Sequence, residues 1–153
     1  MGYIPKNAKW YLADIVQQIT VEGDPRNVVH TNLVLVRADS PEEAYEKAIE
    51  LGTAGEQSYE NMDGKLVTFR FRGLRDLNVI LGELQHGTEL IYGENRDMDE
   101  SAIQNWVTPK EELGVFLPIQ TSTGLDYGPR DVLEKVYEEF PDLRPIKPDD
   151  TVH

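Results

Sequence analysis

No cysteine occurs in the 153 residues. That excludes a disulfide framework, a thiolate zinc site, an iron–sulfur cluster and a cysteine nucleophile. Positive charge is also scarce. Fifteen Lys and Arg stand against 28 Asp and Glu, for a formal charge of −13 at pH 7. Phosphate neutralisation needs a basic face, so neither a nucleic-acid binder nor a ligand of anionic membranes is expected. Long apolar runs are missing as well. Leu33 to Val36 is the longest, far below the ~20 residues of a membrane span. The opening Met1-Gly2-Tyr3-Ile4-Pro5-Lys6-Asn7 has no apolar stretch of the secretory kind. These absences together point to a soluble, cytoplasmic protein.

What is present reads as one α+β domain. With 39% apolar and 28% charged residues, the composition is that of a globular chain. Lys9 to Glu22 is rich in β-branched and aromatic residues and ends at the turn-forming Gly23-Asp24-Pro25. Its odd positions Tyr11, Ala13, Ile15, Ile19 and Val21 are apolar, with Gln17 as the gap. Asn27 to Ala38 follows as a hairpin partner, with Val29, Leu33 and Leu35 on one face and Val28, Val34 and Val36 on the other. Ser40-Pro41-Glu42-Glu43 is a capping box with proline at the first helical position. The helix it opens is expected to stop near Gly52 or to weaken towards Gln57. Lys65 to Arg72 alternates as a strand, Leu77 to Ile80 reads as a short one beyond Gly73, and Thr88 to Tyr92 as another.

The expected fold is therefore an antiparallel sheet of about 4–5 strands with a helix on one face, in strand-strand-helix-strand-strand order, plus a C-terminal helical extension. Residues 1–144 form the domain (core 9–95, extension 96–144), and 145–153 a disordered tail. The extension is the more acidic part, net −7 over residues 96–153 against −6 over residues 1–95. Two helices are expected in it. Thr108-Pro109-Lys110-Glu111 opens one that Gly114 cuts short, and Gly128-Pro129-Arg130-Asp131 opens a longer one ended by Pro141. Trp106 is expected to fasten this segment to the sheet. Because the first two strands are apolar on both faces, either the C-terminal segment or a second copy should cover the face opposite the helix.

Lys9-Trp10-Tyr11-Leu12-Ala13, the run from Leu33 to Ala48, the aromatic–arginine strand leading to Leu74-Arg75-Asp76-Leu77, and Glu83 to Glu89 together resemble a bacterial family. That family is known as domain of unknown function 4288. The resemblance spans Trp10 to about Glu94. It implies no activity, and no residue receives a role from it.

Chemistry-bearing patterns are sparse. His30, His86 and His153 have no His-x-x-x-His spacing, so no metal site is expected. Ser40, Ser58, Ser101 and Ser122 lie in no nucleophile elbow, and the glycines form no phosphate loop. No cofactor and no catalytic residue is assigned. Asp14, which interrupts an otherwise apolar strand, is the candidate for an acid/base enzyme. Arg70, Arg72 and Arg75 reverse the local sign of charge. Their guanidinium forks suit a carboxylate or phosphate ligand, or an acidic surface, with Asn78 and Trp10 as neighbours. Pairing with nearby acidic side chains is the plainer alternative. The leading expectation is a non-enzymatic protein–protein interaction or self-association module, as a homodimer or with a basic protein partner. Binding of a small anionic ligand through Arg70, Arg72 and Arg75 is the alternative.

Overall fold

The computed structural model describes residues 4, 7–118 and 124–143. Contacts divide the chain into two compact units, Met1–Ile91 with Thr123–His153, and Tyr92–Ser122. The first unit is built on strands β1 (Trp10–Val21), β2 (Asn27–Arg37), β3 (Gln57–Glu60) and β4 (Leu66–Ile80). They form one antiparallel sheet in the order β2-β1-β4-β3. Helix α1 (Pro41–Ala54) lies between β2 and β3 in sequence. The expected α+β class and strand-strand-helix-strand-strand order are what the structure shows.

Strand alternation decides the core. Tyr11, Ala13, Ile15, Ile19 and Val21 of β1 are all buried, because successive side chains of a strand point to opposite faces. In register they meet Val36, Val34 and Val28 of β2, and Val79, Leu77, Leu74, Phe69 and Val67 of β4. Gln17 falls on the same face, where its Nε2 donates to the Gly55 carbonyl at 3.0 Å and ties the end of α1 to the sheet.

At the other end of α1, Ser40 Oγ accepts the Glu43 N–H at 3.1 Å. The Glu43 carboxylate reaches back to the Asp39 N–H at 3.2 Å, one residue earlier than in the usual box. Ala44, Ala48 and Gly52 are the buried positions of the helix. A Cβ on Gly52 would come within 2.4 Å of the Phe71 ring. Gly52 therefore allows close packing and does not stop the helix, which runs on to Ala54.

The region after α1 departs from expectation in three places. Gln57–Glu60 is a short strand, not a fading helix. Leu66–Ile80 is one strand of 15 residues, not two. Thr88 to Tyr92 is not a strand. The single long strand is possible because β4 carries two extra residues. Arg72 falls between the partners of Gln17 and Val16, and Arg75 between those of Ile15 and Asp14. Each bulge flips the side-chain phase once, so two of them return Leu77 and Val79 to the core face. Gly73, at φ 138°, makes the backbone excursion there.

The C-terminal part of this unit returns to the sheet. Leu125 is buried with Ile19, Val21 and Val67. The Tyr59 hydroxyl donates to the Tyr127 carbonyl, and burial raises the Tyr59 phenol above its ordinary range. His30 meets Tyr127 edge-on at 5.6 Å. Asn61, 2% exposed, accepts the N–H groups of Asp63 and Lys65 and donates to the Asp126 carbonyl. Leu125 and Tyr127 extend the cover on the face that α1 already occupies. Helix α3 (Arg130–Glu139) follows, opening after Pro129 as expected.

In the second unit, α2 (Glu100–Trp106) starts at Asp99, whose Oδ1 accepts the Ala102 N–H at 2.8 Å. The expected helix from Thr108 is instead two single 3-10 turns, Lys110–Glu112 and Gly114–Phe116, and no side chain caps either of them. Trp106 is 66% exposed and is not a buried packing residue. The tail expectation and Ser122 and His153 lie outside the described residues.

Two predictions follow from these contacts. Asn61→Ala strands two backbone N–H groups and should cost about 2–3 kcal/mol in urea denaturation, with proteolysis after Leu125 appearing first. In the hairpin loop, hydrogen bonds from the Arg26 side chain and N–H lower the Asp24 carboxyl from 3.8 to about 2. A lowered folded-state value stabilises above about pH 4 and fades as the pH falls through about 2. A carboxyl-carbon NMR titration should find this low midpoint, and Arg26→Gln should return it towards 3.8.

Candidate functional site

The face opposite α1 is built from the even residues of β1 and the odd residues of β2. Leu12 lies between Leu35 and Asn78, Asp14 between Leu33 and Asp76, Val16 between Thr31 and Gly73, and Gln18 between Val29 and Arg70. Leu12 and Ile80 are buried at the Trp10 end. Along β2 the picture is different. Val29 is 54% exposed, Leu33 64% and Leu35 44%. Isolated surface apolar residues are ordinary, but three on one face of one strand form a patch.

Arginine borders this patch. Arg70 is level with Gln18, and Arg72 Nη1 donates to Gln18 Oε1 at 3.3 Å. Gln18 is thus level with one arginine and hydrogen-bonded to the other, and the bulge at Arg72 breaks the simple alternation read from the sequence. Arg75 is the extra residue of the second bulge and is exposed. Among the described residues none of the three forms an ion pair. Internal pairing with carboxylates, the plainer reading of this cluster, is thus not what the structure shows.

The other two candidates sit apart. Asn78 Nδ2 donates to Asp76 Oδ2 at 2.9 Å. Trp10 lies at the far end of β1, with the Arg37 guanidinium 6.0 Å from its ring centre. Eight strand residues, roughly 27 Å, separate Trp10 from Gln18. The five residues share a sheet but do not converge on one small ligand. Arg70 and Arg72 are the two that share a neighbour, Gln18, level with the first and hydrogen-bonded to the second.

Asp14 is placed across from Asp76. Asp76 is satisfied by the Leu77 N–H and by Asn78. Asp14 Oδ1 is buried and has no hydrogen-bond partner among the described residues. Sequence reasoning missed the long edge formed by β2, although its uncharged run from Asn27 to Val36 was in view. It also missed the bulges. Their signal was the apolar phase change from Phe71 to Leu74 and again to Leu77.

No helix among the described residues is long and apolar enough to cross a membrane, and no three His, Asp or Glu residues among them gather as a metal site. A four-stranded antiparallel sheet with one helix-covered face defines an α+β module. By its sequence the chain belongs to the family described as Domain of unknown function (DUF4288), which it matches over residues 10–92. No curated protein and no solved structure matches the chain.

An unpartnered carboxylate oxygen costs stability, which gives a direct test of the Asp14 environment. Asp14→Leu should stabilise the protein by about 1–3 kcal/mol in chemical denaturation. A loss of stability would mean that Asp14 is held by an interaction of its own.

Proposed function

We propose that the protein is a non-enzymatic association module that works through the sheet face opposite α1. The observation that carries this reading is the exposure of Val29, Leu33 and Leu35 on a regular strand. Burying such side chains stabilises a complex by roughly 25 cal/mol per Å² of apolar area removed from water. Arg37, Arg70 and Arg72 add donors for carboxylates at the edges of the patch, so the surface suits an apolar partner with acidic groups. The basic partner expected from the net charge of −13 suits the acidic remainder of the chain, where attraction would speed encounter. A soluble, cytoplasmic setting agrees with a chain free of cysteine.

A second reading is favoured by one observation, that Arg70 and Arg72 have no carboxylate partner among the described residues. Such a pair fits a small phosphate or carboxylate compound.

Native mass spectrometry of the gently purified protein separates these readings. The association reading predicts the mass of a complex, which Leu33→Thr with Leu35→Thr abolishes while leaving thermal stability within a few degrees. A small added mass lost in Arg70→Ala with Arg72→Ala would favour the ligand reading. A bare monomer unaffected by either pair would overturn both.

A further inference from the structure

We infer that the partner of this module is a second copy of the chain, joined edge to edge through β2 as a continuous antiparallel sheet. The inference rests on the association reading and goes beyond it by naming the partner, the edge and the register.

β2 ends the sheet, so among the described residues one side of its backbone is not paired by another strand. Proteins usually blunt such an edge with proline, lysine, a bulge or a short strand. β2 has none of these. It runs for 11 residues without a break in register, holds no proline and no lysine, and is uncharged from Asn27 to Val36. β3, at the other end of the sheet, has only four residues.

The hydrogen-bond phase fixes which groups are free. The Ala38 N–H donates to the Lys9 carbonyl at 2.9 Å, and Lys9 is opposite Ala38 by continuation of the β1–β2 register. Even residues of β2 therefore turn their backbone groups towards β1. Asn27, Val29, Thr31, Leu33, Leu35 and Arg37 turn theirs outward, and of these the Arg37 carbonyl already accepts a hydrogen bond from Lys47 Nζ at 2.8 Å. A two-fold axis at Asn32 pairs these outward residues with one another. Thr31 meets Leu33 of the second copy, Val29 meets Leu35, and Asn27 meets Arg37. Every residue of the strand is paired, which a shift of two positions either way would not achieve.

Side chains agree with that register. On the exposed face Leu35 stands across from Val29, and the two Leu33 side chains approach diagonally across the axis, so the patch of one copy continues into that of the other. On the α1 side the two Asn32 carboxamides face each other at the axis, where a shifted register would set Asn32 against His30 or Val34. A self-complementary patch of this kind makes a closed, isologous dimer. That selects a second copy over an unrelated partner.

The lack of native cysteine makes the register directly testable in the full chain. At the axis, Asn32 and its mate form a non-hydrogen-bonded pair with Cα atoms about 4.5 Å apart, within disulfide reach. Asn32→Cys should give a covalent dimer on mild oxidation as the main product, whereas Thr20→Cys, exposed on β1, should stay monomeric on a denaturing gel. Val29→Cys with Leu35→Cys alters only exposed side chains and should also cross-link between copies, because six strand residues keep the two sulfurs of one chain apart. Failure of both cysteine variants to cross-link, or equal cross-linking of Thr20→Cys, overturns the edge pairing. If native mass then still shows a complex, association stands and only its geometry is wrong. If it shows a bare monomer, the association reading fails as well.

Discussion

Everything in the first unit depends on β1, which is hydrogen-bonded on both sides and divides its side chains strictly between two environments. Because that division has a period of two, no residue of β1 can serve both faces. The odd set goes under α1, Leu125 and Tyr127. Gln17, the polar member of that set, is used to hold the end of α1. Of the even set, Leu12 is buried within the chain, beside Ile80 at the Trp10 end, while the β2 side of that face is exposed at Val29, Leu33 and Leu35.

The N-terminal half was legible because its signals are local. The capping box at Ser40, the alternation of β2 and the turn at Gly23 each act within a few residues, and the structure keeps all three. The misread parts depended on distant partners. Gly52 looks like a helix stop until Phe71 is seen against it. Arg72 and Arg75 look like members of a regular strand until the pairing with β1 shows them as bulge residues. β3 is four residues without a strong pattern, and it exists because β4 offers an edge. Thr108 looks like a cap, but no side chain caps the 3-10 turn that follows it.

The candidate site was legible only in part. The run of arginines is plain in the sequence, and in the structure Arg70 is level with Gln18 while Arg72 is hydrogen-bonded to it. Trp10 and Asn78 belong to the other end of the sheet, a separation that strand rise alone imposes. The apolar content of β2 on both faces was also visible. Its exposed side became informative once Leu125 and Tyr127 were found on the α1 face. Among the described residues, Asp14 Oδ1 is a buried carboxylate oxygen without a hydrogen-bond partner, on the same face as the patch. Pairing of two β2 strands closes the open edge and joins the apolar patches of the two copies side by side.

The most direct measurement is backbone amide hydrogen exchange of the wild-type protein, read residue by residue along β2. If β2 pairs with a second copy, Thr31, Leu33 and Leu35 exchange as slowly as Asn32 and Val34, and the protection falls on dilution. Fast exchange at Thr31, Leu33 and Leu35 at every concentration, beside slow exchange at Asn32 and Val34, would show an edge that stays open and contradict the account.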